Sequence, residues 1–228
     1  MDAASLRRYA AVLREEGTVV LPPGSVFSHP ELERIYELQS HFEEERVSGG
    51  DPGDEHDIFV RRILTDRVGE VPTLTLEPYA SQIMGILDDA PRRQLFSVLL
   101  GNDEPRCIRR CQTHRMTVGS YLGAHIDVES NPHNDYSVVI QLGRDFNGGE
   151  FVVYPQDEAE RVYETHYGTV LITACTLKHE VRKVRSNERH SVAYFYSRYT
   201  GPNQRDETIA CTRPGCQWCG EHLRSRLD

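Results

Sequence analysis

Val118-Gly119-Ser120-Tyr121-Leu122-Gly123-Ala124-His125-Ile126-Asp127 sits at the start of a long series of short, β-rich runs. Such runs read at about 107–118, 136–142, 150–154, 161–166, 169–173, 179–185 and 189–199. Turn residues such as Asn147-Gly148-Gly149 and Tyr167-Gly168 separate them. Upstream the texture is mostly helical. Leu6, Tyr9, Ala10 and Leu13 follow a helical period that stops at Gly17, and Thr18–Leu21 reads as a strand. Pro30 opens a helix through about Phe42, residues 48–55 form an acidic turn-rich loop, and Ile58–Leu64 is strand-like. Helical material over about 76–100, broken near Pro91, completes that half. Helices first and then many short strands predict an α+β fold, a barrel-like double sheet with helices packed outside.

The same stretch carries chemistry. An extended chain alternates its side chains, so His125 and Asp127 leave one face while Ile126 leaves the other. A second imidazole, His179, comes 52 residues after Asp127, and Arg189 comes ten residues after that. Two imidazoles and a carboxylate occupy one face of an octahedral ferrous ion, leaving three positions for a bidentate 2-oxo acid and dioxygen. The rigid fork of Arg189 suits the far carboxylate of that acid, and Ser191, on the same strand face, adds a hydroxyl donor. Adjacent antiparallel strands beginning at His179 and Arg189 would bring both to one mouth of the barrel. A lone His-X-Asp says little, but the ordered combination on strands says much more.

Composition narrows the class. The chain has 228 residues, 38% hydrophobic and 27% charged, which suits one well-buried core in a globular protein. We read one domain over 1–201, helical over about 1–105 and β-rich over about 106–200, followed by a Cys-rich tail at 202–228. The net charge of −9 argues against a generic nucleic-acid backbone binder. No run of about 18–20 apolar residues is present to span a bilayer, and the first residues lack the apolar core of a secretory signal. A cytoplasmic location is therefore expected, with the cysteines as free thiols or metal ligands.

The motifs resemble those of the Fe(II)/2-oxoglutarate-dependent oxygenase superfamily, especially its prolyl-hydroxylase-like branch. Residues 118–127 resemble its first metal motif, and Asn147-Gly148-Gly149-Glu150-Phe151 is similar to its "GGE" turn. Gly168–Ile172, Leu177–Val181 and Glu188–Ser191 resemble its closing motifs. The resemblance implies a double-stranded β-helix (jelly-roll, cupin-like) core, iron on His125, Asp127 and His179, and 2-oxoglutarate held by Arg189. Members of that branch often carry tyrosine near the position of Met116 as a second co-substrate contact. Gln112, His114 or Arg115 stand as replacements. Related halogenases have a small residue where Asp127 stands, so hydroxylation rather than chlorination is implied.

The layout also resembles, more loosely, the small stand-alone oxygenases that hydroxylate or halogenate free amino acids. A small-molecule substrate is therefore expected, with a peptidyl substrate as the alternative. Arg61 or Arg62 could bind its carboxylate. His114, Asn134 in the loop after the metal motif, and Trp218 are further candidate contacts. In the tail, Cys211, Cys216, Cys219 and His222 fall within twelve residues. A reduced tail with Trp218 packed on the barrel is the preferred reading, and a structural zinc site is the alternative. Two other classes compete: a non-catalytic jelly-roll binding module, and a zinc hydrolase using Glu129 or Glu180. Neither accounts for Arg189.

Overall fold

The computed structural model describes residues 1–49, 56–101, 105–155 and 159–205. Helix α1 (Ala3–Glu16) is capped by Asp2, whose carboxylate accepts from the amides of Ala4 and Ser5. It stops at Gly17, in the left-handed region at φ 68°. After β1 (Thr18–Leu21), α2 (His29–Gln39) is opened by Glu31, which accepts from the Ser28 amide at 2.8 Å. It ends at Gln39 rather than Phe42. The amides of Ser40, His41 and Phe42 bond three residues back, a tighter winding that closes the helix early.

Strands β2 (Glu45–Ser48), β3 (His56–Thr65) and β4 (Thr73–Leu74) come next, the first and third unforeseen from sequence. The expected broken helix is α3 (Tyr79–Leu87) and α4 (Ala90–Leu99). The break falls at Asp88-Asp89, close to Pro91. Asp89 caps α4 through the Arg92 amide (2.8 Å), and Pro91 sits in the first turn, where its missing N–H costs nothing.

The remaining strands are β5 (Cys107–Met116), β6 (Tyr121–His125), β7 (Tyr136–Gln141), β8 (Asn147–Gly148) and β9 (Phe151–Tyr154). They continue with β10 (Arg161–Tyr163), β11 (Val170–Ala174), β12 (Lys178–Val181), β13 (Val184–Ser186) and β14 (Arg189–Ser197). The main sheet runs β1-β11-β7-β14-β5-β3-β6-β12-β9-β10, with β2 and β4 also on β3, and β13 pairs with β8 separately. The result is a nearly closed, barrel-like jelly roll with the helices outside.

Alternation divides β3, β5 and β11 between two cores, and the other strands of the barrel wall add to one or the other. Val138, Ile140, Val170, Ile172, Val192, Tyr194 and Tyr196 pack outward against Leu13, Ile35, Ile83, Leu87 and Phe96 of the helices. A second cluster includes Ile58, Val60, Met116, Phe151, Val153, Leu171, Val181 and Val184, from strands all round the barrel. Among the described residues no helix is long and apolar enough to cross a membrane.

Two expectations need correction. The run 179–185 is two strands, and Asn147-Gly148, read as a turn, pairs with the second of them. More important, β12 and β14 are not neighbours. Strand β12 lies between β6 and β9, and β14 lies between β5 and β7. His179 and Arg189 approach through curvature of the sheet rather than strand pairing. Arg189 meets Gly149, two residues before Phe151, whose ring stacks on His179.

Candidate active site

Strands β6 and β12 pair antiparallel with His125 directly opposite His179. That register sets the two imidazoles side by side, ring centroids 4.5 Å apart. Each ring is oriented the same way. Nδ1 of His125 bonds the Gly123 carbonyl at 2.7 Å, and Nδ1 of His179 bonds the Leu177 carbonyl at 2.9 Å. A carbonyl can only accept, so both Nδ1 atoms carry the proton and both Nε2 atoms present lone pairs. Phe151 stacks on the His179 ring at 5.1 Å, and His56 stands edge-on to His125 at 5.3 Å.

Asp127 does not lie on the strand, as simple alternation supposed. Strand β6 ends at His125, Ile126 stays extended, and Asp127 begins a single 3-10 turn, Asp127–Glu129. The carboxylate still returns to the imidazoles. Oδ1 is 3.6 Å from Nε2 of His125, and Oδ2 is 3.5 Å from Nε2 of His179. One ligand atom from each residue falls within 4.8 Å of the others. Burial opposes the charge on Asp127, but the two imidazoles and the Ser137 hydroxyl outweigh it and hold the carboxyl well below its usual range. Burial pushes the His179 imidazole toward its neutral form. Oδ2 of Asp127 has no hydrogen-bond partner. Imidazole nitrogens and a charged, under-satisfied carboxylate oxygen converging on one point fit a divalent transition metal.

Arg189 is 1% exposed. One of its Nη atoms donates to Ser191 Oγ at 3.1 Å and lies 3.6 Å from Met116 Sδ. Nε and the other Nη have no partner, and no carboxylate among the described residues pairs with it. Burial pulls its guanidinium down to about 10, so it stays charged at neutral pH. Cationic N–H groups left unbonded in a dry interior cost several kcal/mol, roughly, unless an anion meets them. Where the family pattern has tyrosine, Met116 offers only sulfur. Of the three candidate replacements, Arg115 is turned away into ion pairs with Glu44 and Glu188. Gln112 and His114 stay buried, their side chains joined at 2.7 Å.

The proposed substrate contacts separate. Arg61 pairs with Glu44 at 3.0 Å, and Arg62 bonds Glu45 through Nε at 2.7 Å. Asn134 is buried in the loop after the metal turn, and its Oδ1 lacks a partner. Trp218 and the cluster Cys211, Cys216, Cys219 and His222 lie outside the described residues. Cys107, Cys111 and Cys175 are free thiols.

Arg110 escaped the sequence reading, although the alternation of Arg110, Gln112, His114 and Met116 on β5 could have shown it. Its Cζ lies 4.5 Å from the centre of the Phe195 ring, and its Nε has no partner.

The comparisons agree with this geometry. A model of the 2OG-Fe(II) oxygenase superfamily matches residues 111–197. The crystal structure of an oxidoreductase of the 2OG-Fe(II) oxygenase family from Burkholderia pseudomallei is 48% identical, with TM-score 0.83, covering 90% of this chain and 95% of that one. The epimerase SnoN from nogalamycin biosynthesis, described as non-heme and alpha-ketoglutarate dependent, shares the fold. It has TM-score 0.67 and 17% identity over 95% of this chain and 93% of its own. A Trichoplax adhaerens prolyl hydroxylase, solved with a hypoxia inducible factor peptide, has TM-score 0.59 and 13% identity over 86% and 94%. No curated protein matches in sequence. Given 48% identity across nine-tenths of its length, the chain belongs to the 2OG-Fe(II) oxygenase family, enzymes that use ferrous iron, 2-oxoglutarate and dioxygen.

Proposed function

We propose that the protein hydroxylates an unactivated C–H bond of a small molecule, a free amino acid or an amino-acid-derived metabolite. His125, Asp127 and His179 hold the iron, and Arg189 with Ser191 holds the distal carboxylate of 2-oxoglutarate. Arg189 carries this reading: a fully buried guanidinium with unbonded N–H groups and no carboxylate partner among the described residues suits a carboxylate co-substrate. Ferrous iron, when bound, supplies the redox chemistry that divides dioxygen between two products. One oxygen atom leaves in succinate, formed with carbon dioxide from 2-oxoglutarate, and the other becomes the hydroxyl on the substrate carbon.

The side chains prepare that exchange. Carbonyl bonds to the two Nδ1 atoms hold both imidazoles in the ligating tautomer, and the Phe151 ring fixes the plane of His179. Met116, Val181 and Val184 make an apolar wall that excludes water. Gln112 and His114 add buried polar groups to the same interior face as Ser191, suited to a polar ligand. The likeness to SnoN, solved with nogalamycin RO, is a case of this fold accommodating a non-peptide ligand.

The test is anaerobic reconstitution with ferrous iron and 2-oxoglutarate, followed by oxygen and a library of free amino acids. A visible charge-transfer band before oxygen, then succinate release stimulated by a library member, is expected. Stimulation by peptides alone would overturn the small-molecule assignment.

A further inference from the structure

Building on the hydroxylase reading, we propose that Arg110 binds a carboxylate group of the substrate, so that the molecule oxidised is a small carboxylic acid. The register puts Arg110 in the site. On β5, Arg110, Gln112, His114 and Met116 face Phe195, Ala193, Ser191 and Arg189 of β14, pair by pair. Arg189 and Arg110 therefore stand at opposite ends of one interior face, six residues apart along a strand. That is about 20 Å between their backbones at about 3.4 Å per residue. The two guanidinium groups thus belong to opposite ends of the face that carries Gln112, His114 and Ser191.

The pairing pattern singles Arg110 out from its neighbours. Arg109 next to it is fully buried and bonds Asp66 through two nitrogens, at 3.1 and 2.8 Å. Arg106 pairs with Asp135, and Arg62 pairs with Glu45. No carboxylate among the described residues pairs with Arg110, and its Nε is unbonded. The Phe195 ring covers its face at 4.5 Å, which fixes the guanidinium plane and leaves the donor edge available.

The surrounding charge also favours an incoming anion. Asp127 and Asp66 act on Arg110 as opposite charges, and Arg62 and Arg205 act as like charges. Asp66 is already paired with Arg109, and a bound metal would draw on the charge of Asp127. A substrate carboxylate restores the balance and meets a fork built to bind it through two oxygens.

Two measurements test this with the iron- and 2-oxoglutarate-loaded protein kept free of oxygen. The probes are the common L-amino acids and their matching carboxamides, titrated against the visible charge-transfer band. At least one free acid should shift the wild-type band while its carboxamide does not. Arg110→Gln should keep the band, which shows an intact metal and co-substrate site, yet bind that acid roughly 30-fold more weakly, the loss of one charge-assisted pair. Arg110→Lys should recover part of the affinity by restoring the charge. Equal binding by Arg110→Gln, equal binding of acid and carboxamide, or a shift produced only by a peptide would each overturn the proposal. Absence of the band from wild-type protein would instead overturn the hydroxylase reading beneath it, and this inference with it.

Discussion

A Cβ added to Gly149 would lie 2.7 Å from Cδ of Arg189, closer than real Cβ atoms come to their neighbours. Gly149 also adopts φ 67°, a conformation costing other residues roughly 1–2 kcal/mol. The glycine following β8 therefore shapes the slot in which the buried arginine lies. Gly149→Ala is expected to raise the KM for 2-oxoglutarate about tenfold while leaving iron stoichiometry unchanged. Arg189→Gln should raise it about 100-fold, since a hydrogen bond to a charged group contributes roughly 1.5–3 kcal/mol and more than one is lost. Succinate release against co-substrate concentration measures both, and an unaltered KM in Gly149→Ala would show that the slot does not position Arg189.

Asp127 supplies the anionic oxygens at the metal point. Asp127→Ala should lower bound ferrous iron and cut turnover on the order of 100-fold or more, beyond the 10–100-fold typical of groups one step removed from a metal. Iron retained after desalting and the rate of succinate release are the readouts. Wild-type protein given chloride should yield no chlorinated product by mass spectrometry, since on a bound metal the Asp127 carboxylate would take the position a halide needs.

Asp66 and Arg109 form an ion pair almost wholly removed from water, at 2% and 0% side-chain exposure. Asn131, in the loop following the metal turn, donates to the same carboxylate at 2.6 Å, and Asn203 bonds the Asp66 carbonyl. Asp66→Leu leaves a buried cation uncompensated and should cost about 3–5 kcal/mol in urea unfolding. The double variant Asp66→Leu/Arg109→Met should recover much of that loss. A single-variant cost below about 1 kcal/mol would show that water or a rearranged neighbour takes over the pairing.

His114 predicts a pH dependence. Burial, reinforced by the charges of Arg189 and Arg110, lowers its pKa to about 3 in the folded protein, against about 6.5 when unfolded. Below pH 6.5 the unfolded chain takes up a proton that the folded chain refuses. Stability contributed by the neutral ring is complete above pH 6.5 and declines as pH falls toward 3, by up to about 1.4 kcal/mol per pH unit. His114→Gln should flatten the slope of unfolding free energy between pH 4.5 and 6 by about one proton. An identical slope in the variant would mean the ring is hydrated or protonated in place.

Local elements were legible where their causes lie within a few residues. Gly17 stops α1, Pro30 opens α2, and strand alternation is plain through β5, β7 and β14. The short strands β2 and β4 were missed because a few residues of mixed polarity carry almost no period. The break between α3 and α4 falls close to Pro91, although the carboxylate of Asp89, not the ring of Pro91, decides where α4 begins. For the site, the convergence of His125, Asp127 and His179 was readable from residue type and spacing. Arg61 and Arg62 drew attention as nearby cations, but each is engaged by a glutamate that sequence alone could not assign to it.

By itself the sequence determined the donor set and the alternation that aims it, since both depend on residue identity and on neighbours one or two positions away. Only the tertiary structure decided that β12 pairs with β6, so that His179 stands opposite His125, and that β14 reaches the site from the far side of β5 and β3. It also decided which arginines meet carboxylates and which, like Arg189 and Arg110, meet none among the described residues. Those outcomes follow from burying two apolar cores at once, one inside the barrel and one beneath the helices, a requirement shared by the whole chain and written in no single segment.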